Sequence, residues 1–128
     1  MPDNSETHGQ TLGIWKNIPD RSTLEIGVDP DDDVGFVARG WLVSSDSKEL
    51  EWTNSDLRSG GPAEPEPELR KGMHYTARIA LFFRGDTTAQ VAAIIRAPNG
   101  EIFGRYKQKF PGHKREVVRV TLLLVCEA

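Results

Sequence analysis

The sequence is short of cysteine and of long apolar runs, and each shortage excludes a class of protein. Its 128 residues include one cysteine, Cys126, so no disulfide can form within the chain. No apolar run approaches the ~20 residues that a membrane-spanning helix needs. The opening segment, residues 1–10, has no basic and apolar stretch of the signal-peptide kind. We therefore predict a cytoplasmic protein that makes no membrane contact.

The sequence also lacks the patterns that enzymes use. It has no GxSxG nucleophile elbow and no glycine-rich phosphate loop ahead of a helix. Cys126 ends an apolar stretch without a basic neighbour, which favours a buried thiol over a nucleophile. Glu49 and Glu51 share one face of a predicted strand, which fits a solvated face better than the paired carboxylates of a glycosidase. We predict a protein that is not an enzyme and has no catalytic residue and no cofactor, and a small hydrolase is the least favoured alternative.

Metal-binding spacings are incomplete. Asp29, Asp31 and Asp33 have the spacing of the first three ligands of an EF-hand calcium loop. Val34 occupies the glycine position of that loop, and Gly40 stands where a bidentate glutamate belongs. The pattern indicates an ordinary acidic turn, with a weak cation site as the alternative. The histidines have no zinc-ligand spacing; they are His8, His74 and His113.

Alternating apolar residues are the strongest pattern that is present. Between Gly72 and Arg96, every second residue is apolar, first over Tyr75–Phe83 and again over Thr88–Ala97. Successive side chains of a strand point to opposite faces, so each run predicts a strand with one apolar face. Arg84–Thr87 breaks the pattern with residues that tolerate turns. The segment therefore predicts a β-hairpin that needs further strands over its apolar face.

Other short segments repeat this alternation along the chain. Seven to eight strands are expected, most of them spaced by roughly 8–12 residues, and no long helix is suggested. We predict an all-β fold, an antiparallel two-sheet β-sandwich formed by a single domain over residues 11–128. Residues 1–10 are polar and predict a disordered tail. Residues 55–70 are rich in proline and glutamate and predict a long solvated loop.

One segment also resembles a known architecture. The run Gly72-Met-His-Tyr75, its following strand and the run Ala97-Pro-Asn-Gly-Glu101 resemble the rhythm of immunoglobulin-like β-sandwich domains. The resemblance implies a sandwich without the disulfide of antibody domains, because the chain has one cysteine. Folds of this kind usually serve adhesion, scaffolding or ligand presentation, but a fold does not by itself imply a function.

The second faces of several strands are more apolar than one solvated sheet face requires. Such a surface, if left uncovered, is typical of a contact with another protein. We predict a non-catalytic interaction module that acts through a protein partner or through self-association. The candidate interface consists of Trp41, Phe82, Leu123 and Val125.

Basic residues at alternate positions of the predicted strand 101–110 give an alternative. A basic row beside an aromatic residue can bind an anion, a carbohydrate or single-stranded nucleic acid. It can equally keep an exposed face soluble and discourage edge pairing. If neighbouring strands pair, four further basic residues would lie nearby: Arg96, Lys114, Arg115 and Arg119. The candidate binding face consists of Phe103, Arg105, Lys107 and Lys109.

Charge is spread unevenly over the two halves of the sequence. Residues 1–69 carry 15 acidic and 5 basic side chains, whereas residues 70–128 carry 4 acidic and 11 basic ones. Either the halves fold together and interleave their charges, or the second half forms a basic surface. The sequence pI of about 5.6 favours the first interpretation.

Overall fold

Strands make up most of the described protein. The computed structural model describes residues 6–32, 35–58 and 66–128. The strands are β1 (Glu6–Ile18), β2 (Ser22–Pro30), β3 (Phe36–Ser44), β4 (Glu49–Trp52), β5 (Glu68–Leu69), β6 (His74–Phe83), β7 (Thr87–Arg96), β8 (Ile102–Gly112) and β9 (Glu116–Cys126). A single helical turn, α1 (Asn54–Leu57), follows β4. Across these three ranges no helix has the length and apolar character that crossing a bilayer demands.

The strands form two sheets that pack face to face. The five-stranded sheet has the order β1-β9-β6-β3-β4, and the four-stranded sheet has the order β5-β2-β7-β8. Every pairing is antiparallel except that of β1 with β9, which is parallel. The predicted all-β class and the two-sheet antiparallel sandwich are thereby confirmed. The described residues form nine strands, one more than the upper predicted number of eight. The additional strand is the two-residue β5, which lies inside the segment predicted as a loop.

The core lies between the sheets and is built from the alternation that the sequence displays. Burial alternates along β2 and β7, and along most of β6 and β9. Each strand thus gives every second side chain to the interior. Trp52 is fully buried above Gly40, its cross-strand partner, where there is room for the indole because Gly40 has no side chain. Cys126 is buried at the end of β9, as a small hydrophobic residue would be.

The predicted β-hairpin over Gly72–Arg96 is wrong, although both of its strands exist. β6 belongs to the five-stranded sheet and β7 to the four-stranded sheet, so the two do not pair. The segment Arg84–Asp86 carries the chain across the core, and the N–H of Arg84 donates to the carbonyl of Gly35 on the β3 side (2.7 Å). Two strands that face one core from opposite sheets show the same alternation as two paired strands. The alternation therefore could not tell the two arrangements apart.

The true hairpin in this part of the chain is formed by β7 and β8. Its turn is closed by the N–H of Ala97, which donates to the carbonyl of Glu101 (2.8 Å). Gly100 adopts a φ of 90°, a conformation that glycine takes without strain. The Pro-Asn-Gly run at residues 98–100 thus provides the tight turn that antiparallel neighbours require.

Two predicted boundaries differ from the described structure. β1 begins at Glu6 and pairs with β9, so the second half of the predicted tail, residues 6–10, lies within a strand. The predicted loop over residues 55–70 contains most of α1 and all of β5. Residues 1–5, 33–34 and 59–65, and with them the central part of that loop, lie outside the described residues.

Candidate functional site

The outer side of the five-stranded sheet gathers three arginines around a tryptophan. Cross-strand register places Arg39 and Arg119 on either side of Ala80, and it places Trp41 beside Arg78. The three arginines and Trp41 point away from the core because they alternate with buried residues, and Ala80 is covered between them. We call this surface the arginine face. It consists of Val37, Arg39, Trp41 and Val43 on β3, His74, Thr76, Arg78, Ala80 and Phe82 on β6, and Val117, Arg119, Thr121, Leu123 and Val125 on β9.

The four residues of the predicted interface all lie on the arginine face. Trp41 belongs to β3 and Phe82 to β6, whereas Leu123 and Val125 belong to β9. Each of them is partly buried, since neighbouring side chains on the same face cover part of it. The structure therefore brings these residues to one surface, spread over three adjacent strands.

The arginines of this face differ in their partners. Arg39 forms an ion pair with Glu51 of β4, and its guanidinium lies 5.7 Å from the centre of the Trp41 ring, within cation–π range. Arg78 and Arg119 are exposed, and neither forms an ion pair or a hydrogen bond with any residue in the described ranges. Arg78 and Arg119 therefore form no described ion pair, although Glu49 and Glu51 of β4 lie on the same side of the sheet, opposite Val43 and Trp41.

A groove of about 550 Å³ runs beside these two arginines. Ile79 and Ala80 form its floor. The side chain of Ala80 is small, so it leaves space between the larger side chains on either side. The groove is open to solvent and is lined by basic, acidic and apolar side chains. Its lining side chains are Trp41, Val43, Glu49, Arg78, Arg119 and Thr121.

The predicted basic row lies on the other sheet. Arg105, Lys107 and Lys109 are exposed on the outer side of β8, the edge strand of the four-stranded sheet. Phe103 is 40% exposed and sits at an irregularity in the pairing, where Ile95 and Arg96 oppose Gly104 and Ile102. The row and Phe103 therefore lie on one edge strand.

The surroundings of this row differ from the expectation. Arg96 is adjacent, on β7, but Arg119 lies on the arginine face at the opposite side of the sandwich. On the same outer surface, Gln90 stands between Lys109 and the acidic Asp29 of β2. We call this surface the mixed face, because acidic side chains of β2 and basic ones of β8 share it. The expected binding of an anion, a carbohydrate or single-stranded nucleic acid stays a prediction.

A second groove, of about 510 Å³, lies on the mixed face over β2 and β7. Gly27 and Ala92 form its floor, and the carboxylate of Glu25 accepts a hydrogen bond from the Arg96 guanidinium at 3.2 Å. Arg96 and Glu25 thus form an ion pair across neighbouring strands, whereas Arg78 and Arg119 of the other sheet form no described ion pair.

Groups that could carry chemistry are scattered over the described residues. Residues 6–32, 35–58 and 66–128 hold no group of three or more histidine, cysteine, aspartate or glutamate side chains that could ligate a metal. Asp33 and Val34 of the predicted acidic turn lie outside these ranges. Burial raises the pKa of the Cys126 thiol, and the charges of Asp20 and Glu127 raise it further. A thiol in that state is a poor nucleophile.

Sequence reasoning missed the arginines of β3, β6 and β9 as a group. Each stands at a position that alternation assigns to the outer face, so the signal was present in each strand separately. Only the strand order brings the three together. Comparisons with protein-family models, with curated proteins and with solved structures gave no match for this chain.

Proposed function

We propose that this protein is a non-catalytic β-sandwich interaction module that docks an acidic partner protein on its arginine face. The observation that carries the proposal is that Arg78 and Arg119 are exposed, line one groove and form no ion pair with any described residue. A planar guanidinium binds a carboxylate through two parallel hydrogen bonds, so two adjacent arginines favour an acidic surface.

The apolar side chains of the face supply the rest of such a contact. Trp41 forms a wall of the groove, and Phe82 lies further along β6 between Val37 and Val117. Tryptophan and arginine are the residues that most often dominate the binding energy of protein interfaces. A partner that places a carboxylate between apolar side chains would match this surface.

Self-association through the arginine face is less favourable than binding of an acidic partner protein. A twofold dimer centred on the arginines would bring Arg39, Arg78 and Arg119 of one copy close to the same three residues of the other. Like charges brought together at an interface oppose association. We therefore expect the isolated protein to be monomeric in size-exclusion chromatography with light scattering, and a dimer that depends on these arginines would contradict the proposal.

We also propose that the sandwich is immunoglobulin-like and cytoplasmic. The first of these is supported by Tyr75, at the start of β6, whose hydroxyl accepts a hydrogen bond from the backbone N–H of Arg70 at 2.9 Å. In immunoglobulin-like sandwiches a tyrosine near the start of a strand likewise hydrogen-bonds to the backbone a few residues upstream. The cytoplasmic location rests on the sequence alone.

Charge reversal tests the docking face. Proteins from a cell lysate that bind to the unmodified chain should no longer bind to the double variant Arg78→Glu with Arg119→Glu. Each such protein is then purified and titrated by calorimetry, where we expect its affinity for the variant to fall by about tenfold or more. The matched control is Lys48→Glu with Lys71→Glu, which changes the same charge at exposed turn positions off the arginine face. Equal binding to both double variants would refute the proposal.

A further inference from the structure

The outer edge of β8 is a sheet edge to which no described strand is paired. β8 ends the four-stranded sheet and pairs with β7 alone. In an antiparallel pair, every second residue directs its N–H and C=O away from its partner strand. Such an edge can accept an extended peptide as an additional strand, which gains main-chain hydrogen bonds.

The side chains of β8 specify what kind of strand would fit. Arg105, Lys107 and Lys109 stand at every second position and are exposed on the mixed face. Residues directly opposite each other in paired strands share a face, so an added strand would place alternate residues against this basic row. An acidic residue at each of those alternate positions would lie opposite one basic side chain of β8.

The same row disfavours the most obvious competitor, a second copy of β8. If two β8 strands paired antiparallel, their basic rows would face each other and repel. Basic side chains on an edge strand are a known device against self-pairing. An acidic strand turns this repulsion into attraction, so the row selects against a second copy and in favour of an acidic peptide.

Apolar side chains mark one end of the edge. Ile102 and Phe103 are 41% and 40% exposed at the start of β8. The Trp15 ring of β1 packs against Gly104, where a side chain on that glycine would come within 3.3 Å of the indole. An antiparallel strand would bring its C-terminal end to this apolar corner, since the two chains run in opposite directions.

We infer that β8 is a docking edge for an extended peptide segment with acidic residues at every second position and an apolar residue at its C-terminal end. The site is distinct from the arginine face, which belongs to the other sheet. Its failure would therefore leave the proposed function intact, and the reverse also holds.

A designed peptide, acetyl-Glu-Thr-Glu-Thr-Glu-Thr-Phe-amide, tests the inference on the full chain. We expect saturable binding at low salt by calorimetry and weaker binding as salt screens the charges. Amide hydrogen exchange should slow at alternate residues of β8 when the peptide is bound, because added strand pairing protects those N–H groups. Binding without protection of β8 would overturn the inference, as would the absence of binding.

Two control peptides separate strand addition from simple charge attraction. Acetyl-Glu-Glu-Glu-Thr-Thr-Thr-Phe-amide has the same composition without the alternation and should bind about tenfold more weakly, because only two of its three carboxylates still share a face and those two no longer span the whole basic row. Peptides N-methylated at the three threonines or at the three glutamates lose one set of main-chain donors each. One of the two should lose binding, and full binding by both would exclude strand addition.

A matched pair of protein variants locates the site. Lys107→Glu with Lys109→Glu should weaken the alternating peptide by about tenfold or more, since two attractions become repulsions. Lys48→Glu with Lys71→Glu changes the net charge equally at distant turns and should retain most of the affinity. Circular dichroism and thermal unfolding check that both variants fold. If both variants lost similar affinity for the peptide, the binding would depend on net charge alone and the inference would be overturned.

Discussion

The two outer surfaces of the sandwich use charge in different ways. On the mixed face, acidic side chains of β2 and basic ones of β8 flank β7, and Arg96 pairs with Glu25 across neighbouring strands. On the arginine face, Arg39 has a partner in Glu51, whereas Arg78 and Arg119 have none in the described ranges. Both faces arise from the same alternation of inward and outward side chains.

This difference shows that the charge of a strand does not reveal the charge of a surface. β8 is the more basic strand by sequence, yet acidic residues lie two strands away on its own face. β3, β6 and β9 of the other sheet contain one arginine each, and these arginines form a group only because the three strands are neighbours. A charged surface in a sheet is therefore a property of strand order.

The largest effect is expected from a pair of glycines, one in each sheet. A Cβ on Gly40 in the five-stranded sheet would lie 2.9 Å from Ile79 Cδ1 and 3.1 Å from Trp52 Cε3, so Gly40→Ala must overpack the core. We expect it to lower the free energy of unfolding by about 1–3 kcal/mol. Urea denaturation followed by tryptophan fluorescence measures the change.

The matched change on the mixed face should cost little. A Cβ on Gly27 would have its nearest contact at 3.7 Å, with the carbonyl oxygen of Leu57, which is an ordinary separation. Gly27→Ala should therefore stay within about 0.5 kcal/mol of the unmodified protein. If both variants lost the same stability, the close packing of Trp52 over Gly40 would not be the cause.

A smaller effect distinguishes the ion pairs of the two faces. A double-mutant cycle over Arg96→Ala and Glu25→Ala should give a favourable coupling of about 0.2–1 kcal/mol at low salt, as expected for a partly exposed pair. The same cycle over Arg78→Ala and Arg119→Ala should give no favourable coupling, since both side chains carry the same charge. A favourable coupling between Arg78 and Arg119 would show that a counter-charge bridges them.

At neutral pH the smallest difference between the sheets is in their titrating groups, whose effect on stability appears only above about pH 9. Burial raises the pKa of Cys126 in the five-stranded sheet above its ordinary value of 9.0. Burial likewise raises the pKa of Tyr106 in the four-stranded sheet above 10.0. The folded state thus holds each proton more tightly than the unfolded state, so stability is intact below the ordinary pKa and falls as the pH rises above it.

Removing each group should move the start of this decline. Cys126→Ala should remove a loss that begins near pH 9, and Tyr106→Phe one that begins only near pH 10. Each group can contribute a slope of at most about 1.4 kcal/mol per pH unit. Urea unfolding between pH 8 and 11 measures both slopes. An unchanged profile in Cys126→Ala would mean that the thiol is not buried in the folded state.

The wrongly predicted hairpin shows that the sequence could predict strands but not which strands pair. Tyr75–Phe83 and Thr88–Ala97 were predicted as strands with one apolar face each, and the structure bears this out. Their pairing was wrong because the partner of a strand depends on contacts far away in the chain, which a local pattern does not record. The turn at Pro98–Gly100 was recognisable, because its residues suit a tight turn wherever the strands go.

The sequence predicted part of the candidate site. Trp41, Phe82, Leu123 and Val125 were predicted as one interface from their places opposite the core, and they do lie on one face. Arg78 was not selected, because a single outward arginine on a strand is ordinary. Its meaning depends on Arg119, which lies 41 positions further along the sequence and next to it only through the pairing of β6 with β9.

The sequence by itself determined that this chain forms strands, which side chains of each strand face the core, and that no disulfide ties them together. These follow from local geometry, because a pleated strand sorts its neighbours by position alone. The tertiary structure decided which strands are neighbours, and so which arginines meet, which charges cancel and which edge stays unpaired. Those outcomes depend on how apolar faces from distant segments pack into one core, and no short stretch of sequence contains that information.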